Sequence, residues 1–227
     1  MAPMRSPPSA VPLERKVLVD GAAMLGVRLD DAQVGRLLDY LALLGKWNRV
    51  YNLTAIRDPA EMLSHHLLDS LTVVAPLARE CPAATRLLDV GSGAGLPGVV
   101  VAIADPRWQV TCIDAVAKKA AFVRQVAAHL GLPNLTAVHG RVETWQAPAF
   151  DVIASRAYAA LADFTRQTRH LAKPSTRWLA MKGRRPDNEI GVLDGGITMF
   201  HVEQTSIPFI AAERCLVWMK MASASAA

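Results

Sequence analysis

Apolar residues recur every three or four positions in the first third of the chain. One such stripe predicts an amphipathic helix that ends near Trp47 and is made of Val34, Leu37, Leu38, Leu41 and Leu44. A second helix is predicted to begin at Asp58-Pro59-Ala60-Glu61, where a capping residue precedes a first-turn proline and an acidic residue. We therefore expect residues 13–80 to form a helical extension packed on the rest of the chain.

From Arg86 the pattern changes to short β-rich runs that alternate with helical stretches. The runs are RLLDVGS, WQVTCIDA, NLTAVHGR, FDVIASRA, RWLAMKG, ITMFHVEQTS and RCLVWMK. Alternation of this kind is typical of a mostly parallel sheet with helices on both faces. The last two runs have no helix between them, so they predict an antiparallel hairpin that closes the sheet. Residues 81–220 are thus expected to form one α/β core with a Rossmann-like, seven-stranded sheet.

The two ends of the chain and its composition narrow the class of protein. No apolar run reaches the roughly 18 residues needed to span a bilayer, so we expect no membrane segment. Residues 1–12 contain prolines but no apolar stretch, which favours a disordered lead over a secretion signal, and residues 221–227 are expected to be a frayed tail. Cys81, Cys112 and Cys215 form no Cys-x-x-Cys pair, which is typical of a cytoplasmic protein.

The balance of charges adds one indication about partners. The chain has 25 Lys and Arg against 20 Asp and Glu, a formal charge of +5 and a pI of about 9.4. An excess of this sign favours a polyanionic partner, although so small an excess is more often an ordinary solvated surface. The charge therefore carries weight only beside a motif.

The segment from Asp89 to Gly98 reads DVGSGAGLPG and joins a buried strand to a helix. Its glycines Gly91, Gly93 and Gly95 let the main chain approach a ligand where a side chain would obstruct it. Asp114 ends the next strand, where a carboxylate can accept both hydroxyls of a ribose. Together these features predict a nucleotide-type cofactor site. The alternative is a tight turn without a ligand, with Asp114 as a helix cap.

Two cofactors fit this loop. The residues from Gly93 to Gly98 satisfy the dinucleotide pattern G-x-G-x-x-G, which would indicate an NAD-dependent oxidoreductase. If the pattern is counted from Gly91 instead, its third glycine position is occupied by Leu96. In addition, Asp89 stands two residues before the loop. A carboxylate there would repel a pyrophosphate and attract the ammonium and sulfonium groups of S-adenosylmethionine. We therefore favour S-adenosylmethionine.

Several further motifs match successive signatures of one family. They are KWN at 46–48, YNLT at 51–54, RDP at 57–59, His66 with LDS at 68–70, the glycine-rich loop, SRA at 155–157 and KG at 182–183. In this pattern, which runs from about residue 30 to residue 220, the chain resembles the RsmG/GidB family of bacterial 16S ribosomal RNA guanine-N7 methyltransferases. One position departs from the pattern, because His65 stands where relatives usually have Arg.

The resemblance implies the class I methyltransferase fold, S-adenosylmethionine as cofactor, and methylation of the position-527 guanine in the 530 loop of 16S rRNA. It also implies cofactor contacts at Gly91, Leu96, Val142, Glu143 and Arg156. The strand pattern is compatible with these contacts, because Val142 and Glu143 follow the third strand and Arg156 ends the fourth, at the edge where parallel-sheet enzymes place their sites. The alternative for Arg156 is a surface salt bridge.

Guanine N7 carries an in-plane lone pair, so its methylation requires alignment and no base. The chain has neither the Asn/Asp-Pro-Pro-Tyr element used on exocyclic amines nor the Pro-Cys nucleophile used on cytosine C5. Candidate catalytic residues that would hold the guanine by its other atoms are Arg156, Lys182, Asn52 and His66. On a helix, His65 and His66 would point about 100° apart, so no metal is expected, and a core role for one of these histidines is the alternative.

For the RNA backbone we expect phosphate contacts from Lys182, Arg184 and Arg185, which follow the fifth strand on the expected ligand side. Two further basic clusters are candidate phosphate contacts, although charged side chains on an exposed helix usually interact only with solvent. These are Lys46 with Arg49 and Lys118 with Lys119. The expected partner is 16S rRNA or the small ribosomal subunit, and we expect a monomer.

Three other functions fit parts of the sequence. They are an NAD-dependent oxidoreductase, a non-catalytic RNA-binding module with a retained cofactor pocket, and a methyltransferase of another RNA or of a small molecule. Binding of S-adenosylmethionine against NAD discriminates the first, and methyl incorporation into small-subunit RNA discriminates the others.

Overall fold

A seven-stranded sheet forms the centre of the protein, whose computed structural model describes residues 13–194 and 196–222. Its strands are β1 (Arg86–Val90), β2 (Gln109–Asp114), β3 (Leu135–His139), β4 (Phe150–Arg156), β5 (Ala172–Lys182), β6 (Ile197–Ser206) and β7 (Glu213–Met221). They lie in the order β3-β2-β1-β4-β5-β7-β6. The first five strands are parallel, whereas β7 is antiparallel to both β5 and β6. The predicted parallel sheet with a closing antiparallel hairpin is confirmed.

Helices precede and cover this sheet. They are α1 (Leu13–Met24), α2 (Asp31–Tyr51), α3 (Pro59–Met62), α4 (Asp69–Leu71), α5 (Val74–Glu80), α6 (Gly98–Ala104), α7 (Ala117–His129), α8 (Leu161–Thr168) and α9 (Asp187–Ile190). A π-helical segment, Leu63–Leu68, joins α3 to α4, and a 3-10 turn, Arg169–Leu171, follows α8.

Both faces of the sheet are buried, because successive residues of a strand point to opposite sides. In β1, Leu87 belongs to the larger apolar core and Leu88 to the smaller one, and neither is exposed. The larger core is shared with α6, α7 and the helices before β1, and the smaller core with α8. Burial on both sides explains why these strands read as nearly continuous apolar runs.

Helix α2 ties the extension to the core. The Asp30 carboxylate accepts a hydrogen bond from Gln33 N and the Gln33 side chain accepts one from Asp30 N, which makes a complete capping box. The Gln33 side-chain nitrogen also donates to the carbonyls of Ile103 and Ala104 at the end of α6. The same side chain therefore starts one helix and satisfies the last carbonyls of another.

The end of α2 lies at Tyr51, four residues beyond the end predicted near Trp47. The helix stops there because Asn52 has a left-handed φ of 49°, a conformation that Asn tolerates better than most residues. The predicted start of the next helix is confirmed, since the Asp58 carboxylate accepts a hydrogen bond from Glu61 N at 3.0 Å.

The region after Asp58 is not the regular helix that its apolar spacing predicted. Helix α3 passes into the π-helical segment, and α4, a turn and α5 follow. A π-helical turn is rare and is frequently found at functional sites. Here it contains His65 and His66, and both side chains line the cavity described below.

The predicted boundaries can be compared with the structure only in part. The predicted lead, residues 1–12, lies outside the described residues, as do residues 223–227 of the predicted tail. Strand β7 includes Met221, so the sheet extends one residue past the predicted end of the core. In residues 13–194 and 196–222, no helix is both long and apolar enough to cross a membrane.

Candidate active site

A cavity of about 520 Å³ opens at the carboxyl ends of β1, β4 and β5. One wall is the glycine-rich loop between β1 and α6, and the other is the extension, which contributes Leu53 and Thr54. Open parallel sheets bind their ligands at this edge. The predicted site residues that line this larger cavity are Gly91, Gly93, Leu96, His66, Arg156 and Lys182.

A smaller cavity of about 160 Å³ adjoins the ends of β2 and β3 and shares Gly91 with the larger one. It is lined by Asp114, Val142 and Glu143, the three residues expected around a ribose and an adenine. Val142 is buried whereas Glu143 is exposed, so the smaller cavity has an apolar floor and a polar rim. The two groups of predicted residues therefore lie on either side of Gly91.

The three alternating glycines of the loop are required for different reasons. Gly93 has a φ of +59°, and a Cβ atom there would meet nothing within 4 Å, so its bare backbone leaves open space. A Cβ atom on Gly91 would collide with the Tyr158 ring, and one on Gly95 with the Val99 side chain. Only Gly93 thus agrees with the expectation that space is kept for a ligand.

Asp114 holds the glycine-rich loop and the residue before α7. Its carboxylate accepts hydrogen bonds from Gly93 N at 2.9 Å and from Val116 N at 2.8 Å, beside the start of α7. Each carboxylate oxygen can accept a second hydrogen bond, and the side chain lines the smaller cavity. Asp114 therefore fixes the loop and still faces the space predicted for a ribose.

Asp89 does not lie where its predicted role requires. We expected its charge to face a cationic cofactor, but the side chain is fully buried behind the loop and does not line either cavity. One carboxylate oxygen accepts a hydrogen bond from Gly98 N at 2.8 Å, at the first turn of α6, and the other has no partner among the described residues. Burial raises the pKa of Asp89 to about 7. Its local role is therefore to hold the turn into α6.

Arg156 is held by a buried acid from the extension. Its guanidinium donates to the Asp69 carboxylate and to the carbonyl of His65, both at 3.0 Å. The other Asp69 oxygen accepts a hydrogen bond from Arg214 Nε at 3.0 Å. The Asp69 side chain is 4% exposed, whereas the two arginines are 22% and 27% exposed and line the larger cavity. Asp69 thus fixes two cations at the wall of this cavity.

The three predicted phosphate contacts after β5 are already paired with acids. Lys182 Nζ lies 2.9 Å from the Glu189 carboxylate and also donates to a backbone carbonyl. Arg185 pairs with Asp187 at 2.6 Å. Arg184 is 90% exposed and lies 3.7 Å from Glu213, outside the larger cavity. Of the three, only Lys182 lines the cavity, and nearby carboxylates offset the charge of this cluster.

His66 and Asn52 differ in their relation to the cavity. His66 is buried, and its Nε2 lies 3.0 Å from Thr54 Oγ1. Burial, together with the nearby Arg156 charge, lowers the pKa of His66 to about 4, so this ring is neutral at physiological pH. Asn52 caps α2, its side chain accepts a hydrogen bond from Arg57, and it does not line the larger cavity. The predicted substrate contact at Asn52 is therefore not supported by its position.

Sequence reasoning assigned no role to three residues of the site, namely Asp69, Arg214 and Tyr158. Arg156 lines the larger cavity and Tyr158 lines the smaller one. Ala157 lies between them and has a positive φ of 53°. Such a φ costs an Ala about 1 to 2 kcal/mol, and strain of this kind collects at functional sites. The LDS motif contained Asp69 but gave no indication of its partners.

The fold and the glycine-rich edge cavity define a class I, S-adenosylmethionine-dependent methyltransferase architecture. One similar solved structure is a SAM-dependent methyltransferase from Aquifex aeolicus, with a TM-score of 0.55 and 18% identity over 75% of this chain and 97% of that one. Another is magnesium protoporphyrin IX methyltransferase from Synechocystis PCC 6803, with a TM-score of 0.57 and 17% identity over 86% of this chain and 99% of that one. Identities this low show the fold alone.

The sequence identifies the family more closely. The family described as rRNA small subunit methyltransferase G, GidB, matches residues 33–217. A ribosomal RNA small subunit methyltransferase G from Acidovorax sp. strain JS42 is 55% identical over 213 residues, which are 89% of this chain and 93% of the relative. Its counterpart in Leptothrix cholodnii is 56% identical over 208 residues, with shares of 91% and 95%.

The chain therefore belongs to the rRNA small subunit methyltransferase G family, and the predicted resemblance is confirmed. Membership in a methyltransferase family also decides between the two cofactors that the loop left open, in favour of S-adenosylmethionine. The described residues contain no group of three or more His, Cys, Asp and Glu that could hold a metal ion.

Proposed function

We propose that this protein transfers a methyl group to N7 of a guanine in small-subunit (16S) ribosomal RNA and that, as the family resemblance implies, the target is the position-527 guanine of the 530 loop. One observation carries the proposal: two cavities meet at Gly91, and the larger is lined by four Lys and Arg side chains and the neutral imidazole of His66. The names of the relatives specify small-subunit rRNA.

The residues around Gly91 fit S-adenosylmethionine. The smaller cavity has the floor and rim that an adenosine requires, formed by Val142, Glu143 and Asp114. Gly91 lines both cavities, and the open backbone at Gly93 leaves further space in the larger one. When bound, the cofactor supplies a methyl group on a positively charged sulfur.

The protein's own contribution is to hold and orient the guanine. Because N7 reacts through an in-plane lone pair, no residue has to remove a proton, and this agrees with the lowered pKa of His66, about 4, which makes its imidazole a weak base. Arg156 and Lys182 are cationic donors on the cavity wall, and each is fixed by an acid, Asp69 and Glu189 respectively. Fixed donors can hold guanine O6 without blocking N7, and alignment of this kind lowers a barrier by several kcal/mol.

The experiment that tests the proposal is methyl transfer to purified small subunits that lack the modification. With labelled S-adenosylmethionine, we expect one label per subunit, and borohydride and aniline treatment should cleave the 16S rRNA at one N7-methylguanine. Label at another atom or nucleotide would contradict the proposal, and no label at all would favour a non-catalytic RNA-binding module.

A pair of variants separates catalysis from folding. At saturating S-adenosylmethionine, Arg156→Gln should lower the rate of transfer by more than tenfold, because one of the fixed cations on the cavity wall is lost. Arg124→Gln is the matched control, because Arg124 is exposed on α7 and does not line either cavity. Equal rates for the two variants would remove Arg156 from the mechanism.

A further inference from the structure

An exposed aromatic side chain stands beside the mouth of the larger cavity. Tyr51, the last residue of α2, is 43% exposed, and its neighbour Val50 is 70% exposed. Lys118 Nζ donates to the carbonyl of Tyr51 at 2.7 Å, which joins the start of α7 to the end of α2. Val116, just before α7, is 40% exposed. We call the surface formed by these four residues the α2–α7 rim.

Residues that follow the rim closely in the sequence line the larger cavity. Leu53 follows Tyr51 by two residues and lines the larger cavity. Lys119 follows Lys118 and lines the same cavity. A polymer whose target base occupied the cavity would therefore pass its neighbouring residues over the α2–α7 rim.

The Tyr51 ring packs against a second aromatic ring, which packs in turn against a third. Its centroid lies 5.0 Å from that of Trp47, which lies in turn 5.4 Å from that of the buried Phe122. Aromatic packing of this kind fixes the orientation of a ring. Tyr51 is thus an exposed aromatic surface that loses little conformational entropy when a second ring stacks on it.

The charge near the rim is less compensated than the charge after β5. Among the described residues, Lys118 of the rim forms no ion pair, and neither does Arg57, which donates to the cap residue Asn52, whereas Lys119 lies 3.9 Å from Asp114. The three cations after β5, in contrast, all lie beside carboxylates. A polyanion gains most by neutralising charges that no acid already neutralises.

We propose that the α2–α7 rim binds the single-stranded RNA that flanks the target guanine, with a neighbouring base stacked on Tyr51 and a phosphate beside Lys118. This inference rests on the proposed function and gives it a docking surface. Aromatic side chains beside cations are the usual means of holding single-stranded RNA. The rim therefore replaces the cluster after β5 as the main expected contact with the RNA.

Binding of a 16S stem-loop RNA with 2-aminopurine next to the target guanine tests the stacking. The wild-type protein should quench the 2-aminopurine fluorescence, and Tyr51→Phe should do the same. Tyr51→Leu keeps apolar area without an aromatic face, so both it and Tyr51→Ala should lose the quenching and about tenfold in RNA affinity. Affinity for S-adenosylmethionine should not change, because Tyr51 does not line either cavity.

The charge is tested by salt dependence. Lys118→Gln should reduce the slope of log affinity against log salt by about 1, whereas Arg124→Gln, six residues further along the same helix, should leave it unchanged. If both variants behave alike, or if Tyr51→Leu still quenches, the rim does not bind RNA. Weaker binding of Tyr51→Ala to assembled subunits but not to naked RNA would assign the rim to a ribosomal protein and would equally overturn the proposal.

These outcomes are separate from those of the proposed function. A wild-type protein that methylates the guanine, together with Tyr51 variants that bind RNA normally, refutes the rim alone. A wild-type protein that transfers no methyl group refutes the proposed function, whether or not the 2-aminopurine is quenched.

Discussion

Replacement of Asp89 by Asn should remove the pH dependence of the unfolding free energy that burial of this carboxyl group creates. In the folded state burial raises the pKa of Asp89 to about 7, whereas an Asp in an unfolded chain titrates near 4. The substitution removes the charge but keeps an oxygen that can accept the hydrogen bond from Gly98 N. Any fixed cost of the new amide group is the same at every pH.

The sign and size follow from proton linkage. Because the folded protein binds this proton more tightly, the stabilisation from protonated Asp89 is complete below pH 4 and is lost as the pH rises through 7. At about 1.4 kcal/mol for each pH unit, the loss over this window is about 4 kcal/mol. His66 acts in the opposite sense, since its lowered pKa makes the folded state less stable in acid, but it is present in both proteins and cancels.

Urea unfolding followed by tryptophan fluorescence at pH 4.5, 6 and 8 measures the effect. Relative to the wild type, Asp89→Asn should gain about 3 kcal/mol in unfolding free energy between pH 4.5 and pH 8, because pH 4.5 lies inside the window over which the full difference develops. Asp151→Asn is the control of opposite sign. Despite partial burial, Lys173 and the backbone amides of Thr85 and Arg86 keep the pKa of Asp151 below its usual value. A constant difference between wild type and Asp89→Asn at all three pH values would refute the reasoning.

Three further predictions follow from single contacts. Gly93→Ala should weaken S-adenosylmethionine binding at least tenfold in calorimetry. Gly131→Ala is the control, because Gly131 has a similar φ of +60° and equally open space. Both variants should lose about 1 to 2 kcal/mol of stability, but only Gly93→Ala should lose cofactor affinity. Asp69→Ala should lower the unfolding free energy by about 3 kcal/mol in urea, because two partly buried arginines lose their partner; a loss below 1 kcal/mol would contradict it. Tyr40→Phe should cost about 1 kcal/mol and leave the loop carbonyl of Ala94 unpaired, which faster amide exchange in the loop would reveal.

The strands and the cofactor loop were predictable from sequence because their signals are local. An apolar run, a turn of glycines and a helix start lie within ten residues of one another between Leu88 and Gly98, and the structure places them as expected. The closing hairpin was predictable for the same reason, since the absence of a helix between β6 and β7 is visible in the sequence.

The wall of the larger cavity was less predictable because it depends on distant pairs. Asp69 and Arg214 are 145 residues apart, and no periodicity connects them. The inward burial of Asp89 was missed because a sequence pattern places a residue near a loop but does not say which way its side chain points. The partners of Lys182 and Arg185 were missed because Glu189 and Asp187 lie in a short helix, α9, that the pattern did not predict.

The side-chain amide of Gln33 and the hydroxyl of Tyr40 both donate hydrogen bonds to backbone carbonyls of the catalytic core, the first at the end of α6 and the second in the glycine-rich loop. The segment that precedes the sheet in the chain also forms one wall of the larger cavity. Exchange of this segment between related enzymes would alter the nucleic acid that enters the larger cavity, whereas the residues of the smaller cavity would stay the same. Substrate range and cofactor use can therefore evolve at different rates.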